Sequence, residues 1–378
     1  MGRRCGANVD LQRPADPMNI AVDVRGFTSP SPLAIAPVKA QVLGLGCRTA
    51  VGLSAATTIA AVRGGLGGFR THPYMVDKKG DPLIAAAIPI GPQTLSLGAR
   101  LVMHAEAAAS EAIEMARGHF PGGLPPVYLA LALPEARPGM NEHLAHNVAS
   151  LLCERLTAQT QIADAAAFPM GHAAGLLGLA WCSRALSEHP SCLCLLGGID
   201  SYFDADCLDW LEDEQLLKSA SNPWGLIPGE AAAFVVLAHT GHVPTTAPLP
   251  VMETVAIATE PCPRRSEGIC TGEGLSAAAR LALAAYAGKA HYAICDLNGE
   301  TYRADEFGFT IVRMTPSFAA GVNFETPADC VGDVGAASAP LFVALAHRRP
   351  WRSASAQNVL LMTSSNNGLR AAALVRTS

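Results

Sequence analysis

The sequence predicts an α/β fold with helices packed between sheets. Three observations point there. Short apolar runs with strand character alternate with Ala-rich helical stretches along the 378 residues. Two of those helices, His172 to about Leu186 and residues 335–346, are apolar nearly all round, the mark of helices buried inside a domain. The composition suits such an interior. AVILMFWYC residues make up 50% of the chain and charged residues 16%, which excludes a disordered or collagen-like protein. Aromatics are only 6%, so the core must be built from Ala, Leu, Val and Ile. The 35 glycines and 27 prolines supply many tight turns.

Residues 1–37 are rich in Pro, Arg and Asp, lack a period, and read as a loose extension. A first half then spans 38–238. Val38 to Gly46 is a strand entering a glycine turn. A helix fits Ser54 to Arg63, stopped by Gly64-Gly65. Residues 98–117 form a long helix whose polar side carries Glu106, Ser110, Glu111 and Glu114. Val127 to Leu133 is a buried strand. Residues 142–158 are a helix with apolar positions at Leu144, Val148, Leu151, Leu152 and Leu156. The buried helix from His172 follows, then an apolar strand from Cys192 to Leu196, ended by Gly197-Gly198. Ala231 to Leu237 is the next strand. Residues 239–250 connect to a second half, 251–378. It contains a helix from Leu275 to Ala287, a strand from Tyr292 to Leu297, the second apolar helix, and closing strands at Val359 to Thr363 and Ala371 to Val375.

The net charge of −5, without a long basic tract, argues against nucleic-acid binding. No uncharged apolar run reaches the ~18 residues a membrane span needs. The start, Met1-Gly2-Arg3-Arg4-Cys5, lacks the apolar stretch of a signal peptide, so the cytoplasm is the expected location. The chain has 11 cysteines but no CxxC pair, which speaks against zinc and thioredoxin-type sites. Cys192 and Cys194, two apart, fall on one face of a strand. Most cysteines have aliphatic neighbours and read as reduced, buried, small hydrophobes. The sharper alternative makes one of them a catalytic nucleophile.

Several segments, in order, resemble the β-ketoacyl synthase branch of the thiolase superfamily. Gly197-Gly198-Ile199-Asp200-Ser201 resembles the glycine pair ending a core strand there. Gly225-Leu226-Ile227-Pro228-Gly229-Glu230-Ala231-Ala232-Ala233 resembles its Gly-Glu-Gly/Ala-Ala turn and strand. Gly272-Glu273-Gly274-Leu275 and the helix after it resemble the helix before the first catalytic histidine. Gly332-Asp333-Val334-Gly335-Ala336-Ala337 resembles its Gly-His…Gly-Ala-Ala motif. The resemblance runs from about Ala40 to Thr377. It implies a thiolase fold: two similar halves in a five-layered α-β-α-β-α arrangement, usually a dimer. It also implies acyl-thioester chemistry. A Cys at the N-terminus of the buried helix, activated by the helix end, accepts an acyl group. Two histidines assist decarboxylation, and backbone N–H groups form an oxyanion hole.

The departures from that pattern fall on the catalytic positions. His172, in Gly171-His172-Ala173-Ala174-Gly175, stands where the resemblance places the nucleophilic Cys. Asn298 and Asp333 stand where it places the two histidines, and Ala328 where it places a lysine. The C-terminal glycine-rich loop, expected to line the substrate site, reads Ser364-Ser365-Asn366-Asn367-Gly368. Imidazole at a helix N-terminus would be held neutral by the dipole and could serve as general base or acyl acceptor. The plainer reading is a buried histidine filling the vacated pocket. Asp333 and Asn298 are expected to reach it. A Ser–His–Asp triad would need Ser338, Ser364 or Ser365 to converge on it.

Glu230 is expected to organise a turn beneath the site. Asp305 and Glu306 are read as partners of Arg303 or helix caps. His143 and His146 share a helix face but lack a third ligand, so neither a metal nor a cofactor is expected. Arg348-Arg349-Pro350-Trp351-Arg352 is a small basic loop, either solvated surface or a contact for an acidic carrier protein or CoA phosphate. Three readings of function remain open. One is a non-condensing homologue, comparable to a chain-length factor, acting as homodimer or as heterodimer with an active synthase. Another is an acyltransferase or thioesterase using His172 and Asp333. The third is a scaffold without acyl ligand. Acyl-carrier protein or acyl-CoA is the partner implied by the first two.

Overall fold

A computed structural model describes residues 22–25, 33–90, 95–243, 249–284, 286, 288–347 and 357–377. The first half runs β1 (Asp23–Val24), β2 (Leu33–Thr49), α1 (Ala55–Arg63), β3 (Arg70–Val76), β4 (Pro82–Ala85), α2 (Leu97–Arg117), β5 (Val127–Leu133), α3 (Glu142–Thr157), β6 (Ile162–Pro169), α4 (Ala174–Glu188), β7 (Leu193–Ser201), α5 (Ala205–Asp213) and β8 (Glu230–His239). The second runs β9 (Val251–Thr259), α6 (Glu273–Ala284), β10 (Ala290–Cys295), α7 (Thr301–Met314), β11 (Phe318–Glu325), α8 (Ala328–Val331), α9 (Ser338–His347), β12 (Asn358–Ser364) and β13 (Leu369–Arg376).

The strand order exposes a duplication. From the centre outward the first half reads β2-β8-β7-β5-β6, and the second β9-β13-β12-β10-β11. In each, the first two pairings are antiparallel and the next two parallel. The halves join where β2 pairs with β9.

Period-two alternation places side chains on two faces of every central strand. Along β8, Ala231, Ala233, Val235 and Leu237 face one core, while Ala232, Phe234, Val236 and Ala238 face another. Along β12, Val359 and Leu361 share the first of these cores, while Leu360 and Met362 face a third. The shared core holds α4 and α9 between the two halves of the sheet. Helices α2 and α3 cover the outer face of the first half, and α6 and α7 that of the second. This is the five-layered arrangement. Small residues make the layers close. A Cβ on Gly46 would lie 1.8 Å from the Ala108 carbonyl of α2, so only glycine lets that Ala-rich helix lie flat on β2.

Three expectations need correcting. Strand β2 begins at Leu33, inside the stretch read as a loose extension. Its first residues pair with β9, and a bulge near Lys39 then turns it toward β8. The glycine pair does not end its strand, since β7 continues through Gly197-Gly198 to Ser201. Cys192 precedes β7 at a bend and is half-buried, so it does not share a strand face with buried Cys194. Sequence reading also passed over β6, α5, β9, α7 and β11. No helix among the described residues is long and apolar enough to cross a membrane.

Candidate functional site

The site forms where the turn after β6 meets the turn before α9. Strand β6 ends at Pro169, and Gly171 takes φ +69°. A Cβ there would lie 2.7 Å from the Glu135 carboxylate, so the turn requires glycine on two counts. Residues 171–173 make one 3₁₀ turn, and regular α-helix begins only at Ala174. His172 therefore precedes the buried helix instead of opening it. Ser365 fixes this turn: its Oγ accepts the Ala173 N–H (2.9 Å) and donates to the Met170 carbonyl (2.5 Å).

The structure brings His172, Asn298 and Asp333 together through Asp333. His172 Nε2 lies 2.8 Å from Asp333 Oδ1. Asn298 Nδ2 donates to Asp333 Oδ2 at 2.5 Å and to Glu300 Oε2 at 3.1 Å. The Gly335 N–H (2.8 Å) and Tyr202 hydroxyl (3.3 Å) also donate to Asp333. Arg303 is the member that sequence reading misplaced. It binds Asp296 (3.0 Å), Glu300 (3.3 Å) and the Ser364 carbonyl (2.7 Å), not Asp305 or Glu306. Its Nη2 stands 3.2 Å from His172 Nδ1 and 3.4 Å from Nε2. Near-equal distances to both ring nitrogens put the guanidinium over the imidazole face, not in its plane at one lone pair.

Electrostatics act against the expected neutral imidazole. Burial and Arg303 push the His172 pKa down, but the Asp333 carboxylate, with help from Asp296, pushes it above the ordinary value and prevails. A full negative charge at 2.8 Å outweighs the partial charge of a helix end. Burial alone would raise Asp333, yet His172, Arg303 and Asn298 hold it far below the usual carboxylate range. An imidazolium also balances the charges. His172, Arg303 and Arg264, which pairs with Glu300, then face Asp333, Asp296 and Glu300.

No serine joins His172. Ser365 is committed to the turn, and Ser364 contributes its backbone N–H to Asp296 (2.7 Å) and its carbonyl to Arg303. Neither they nor Ser338 hydrogen-bond His172 among the described residues, so no triad forms. Among the described residues, the thiol bordering His172 is not poised as a nucleophile either. An adjoining void of about 10 Å³ is lined by His172, Cys295, Asn298, Asp333 and Ser338, room for about one water. Burial pushes the Cys295 thiol to about 12, so it stays protonated at neutral pH.

A cavity of about 250 Å³ opens above His172, lined among others by Glu135, Arg137, Arg264, Arg303, Asn366 and Asn367. Arg137 is fixed by Asp200 (2.5 Å) and lies 4.1 Å from the Tyr202 ring centroid. A second cavity, about 530 Å³ and lined by Val24, Pro134, Met140, Ala145, Pro169 and Met170, shares Glu135, Ala136 and Asn367 with the first. Glu135 was missed by sequence reading. Its signal was available: a carboxylate two residues past the wholly apolar strand β5. Burial raises its pKa, against His172 and the Asn366 N–H, which lower it.

Of the C-terminal loop, Asn366 and Asn367 line the cavity, while Ser364, Ser365 and Gly368 brace it from behind. Glu230 is fully buried, bonded to Arg100 (2.5 and 2.6 Å) and the Ile88 N–H (3.1 Å). Beside it, the Gly229 N–H donates to the Asp333 carbonyl (2.9 Å), which fits a role beneath the site. Glu260, Cys270 and Glu306 are buried together within 4.8 Å. Arg370 already supplies the cation there, 2.6 Å from Glu306. The basic loop 348–352 lies outside the described residues.

No protein-family model and no curated protein matches the chain. Solved structures do. The ishigamide ketosynthase/chain length factor matches with TM-score 0.68 at 18% identity, over 90% of this chain and 99% of that one. A type II polyketide ketosynthase, solved with its acyl-carrier protein and bound to the hexaketide, matches with TM-score 0.70 at 14% identity, over 90% and 100%. A β-ketoacyl synthase from Burkholderia phymatum STM815 matches with TM-score 0.62 at 15% identity, over 90% and 99%. The chain thus shares its fold, the thiolase fold, with these structures.

Proposed function

We propose that this chain is a non-condensing, ketosynthase-like protein that receives a thioester-borne acyl chain without forming a covalent bond to it. The carrying observation is the His172–Asp333 ion pair. At the position where the resemblance places a thiol, this chain has an imidazole held 2.8 Å from a carboxylate that favours its protonated form. In the protonated form that Asp333 favours, the imidazole has no free lone pair and is neither nucleophile nor base. Asn298 and Asp333 are likewise spent on one another. The two adjoining cavities favour a ligand-holding role over a filled scaffold. Likeness to a ketosynthase/chain length factor and to a ketosynthase solved with its carrier protein supports an acyl-carrier protein and an active synthase as partners.

Incubation with acyl-CoA and acyl-carrier protein, followed by intact-mass measurement, should return the unmodified mass. A stoichiometric acyl adduct overturns the reading. Affinity purification from the native host should recover a synthase that does carry the Cys-His-His set.

A further inference from the structure

We infer that strand β1 is a strap that gates the larger of the two cavities, closing it when paired with β6 and opening a route toward His172 when released. Such a gate is independent of which ligand the cavities receive. Val24 forms one wall of the cavity of about 530 Å³. Met140, Asn141 and Glu142, at the approach to α3, and Pro169 and Met170, at the end of β6, contribute other walls. At Glu135, Ala136 and Asn367 this space adjoins the cavity over His172. Lifting Val24 away therefore uncovers a space that leads to His172.

Little holds Val24 in place. Strand β5 pairs along β6 from Ile162 to Pro169, whereas β1 pairs with it at Ala166 and Ala167. The Arg25 N–H donates to the Ala167 carbonyl at 2.9 Å. Asp23 and Arg25 form a solvent-exposed ion pair with each other, which contributes little. Val22 is buried in the core that α2 and α3 cover, and Val24 packs against it. Two valines and a two-residue ladder are of the same order as the entropy lost in ordering the segment. That balance permits local opening without global unfolding. The outer edge of β6 is suited to so short a partner. Asp164 Oδ1 accepts the Ala165 N–H at 2.8 Å, and Pro169 has no N–H to offer. Both features discourage a longer strand from pairing there.

Alkylation of a thiol placed in the cavity tests the gate. Met140 is buried there. Met140→Cys in the full chain is treated with iodoacetamide and followed by peptide mass mapping. Cys153, buried on α3 in the same core, is the internal reference. Two substitutions weaken the strap and spare the residues lining the cavity. Arg25→Pro removes the ladder donor, and Val22→Ala trims an anchor. Each should speed alkylation at position 140 about tenfold, the scale of one hydrogen bond or a few buried carbons, with the Cys153 rate unchanged. Equal rates at position 140 with and without both substitutions overturn the gate. Acceleration of Cys153 in step with position 140 also overturns it, because the strap would then hold the whole core together. So does alkylation of Met140→Cys alone as fast as that of a free thiol, since the cavity would already stand open.

Discussion

The turn before α4 and the turn before α9 have closely similar backbones and very different contents. Each opens on a left-handed glycine, Gly171 at φ +69° and Gly335 at φ +46°. Each follows a residue of similar conformation, Met170 (φ −122°, ψ 12°) and Val334 (φ −112°, ψ 14°), and leads into a buried helix. The middle residue is His172 in one and Ala336 in the other. Ala336 is packed backbone on backbone: its N–H donates to Asp200 (2.9 Å), and a Cβ on Gly198 would lie 2.3 Å from its carbonyl. His172 instead borders a cavity. Duplication supplies the same turn twice, but the site is asymmetric. The second turn is filled by main chain, and Asp333, two residues before it, becomes the partner of the first.

The largest effect should come from Asp333→Ala. It strands the imidazolium, the Asn298 amide and the Gly335 N–H in a buried place. Breaking one partner of a buried pair costs about 3–5 kcal/mol, read by denaturant unfolding. A loss under about 1 kcal/mol would mean the two turns differ in shape only. Ala336→His asks whether the second turn can take the first one's side chain. Ala336 is fully buried, so overpacking should cost about 1–3 kcal/mol. A neutral outcome would show unused room in the second turn.

Most of the architecture was legible in the sequence because apolar period and glycine punctuation report burial directly. Val127–Leu133 and the two apolar helices are strong signals of that kind. The outer strands β6 and β11 were not: exposed Ala163-Asp164 in one, and exposed Gly321 and Asn323 in the other, break the apolar run. At the site, the convergence of His172, Asn298 and Asp333 was inferred from the resemblance, and nothing local in the sequence demanded it. The charge state of His172 was beyond reach, since it depends on Asp333, 161 residues away. Arg303 was misread for a local reason. Its neighbours in sequence include Asp305 and Glu306, but the helical turn carries it toward Asp296 and Glu300.

Ser365→Ala sharpens the comparison from the backbone side. Its hydroxyl ties Ala173 and Met170 together, the counterpart of what Asp200 does for Ala336. Losing a buried hydroxyl with two partners should cost about 1–2 kcal/mol, measured by thermal or denaturant melts.

The smallest effect is a pH dependence confined to the first turn. Folding raises the His172 pKa above its ordinary 6.5. The protonated ring therefore stabilises the folded chain fully below pH 6.5, and this contribution fades as pH rises through the raised value. Asp333 is held well below its ordinary 3.8, so its share is complete above that pH and is lost only in strong acid. The pair contributes most between about pH 4 and 6.5. The gap in melting temperature between wild type and His172→Gln should be widest there and should narrow at higher pH. Ala336→Gly, which removes no titrating group from the second turn, should leave a flat gap over the same range. If the His172→Gln gap widened in alkali, the folded protein would hold a neutral imidazole. Base or acyl-acceptor chemistry at His172 would then regain its physical footing.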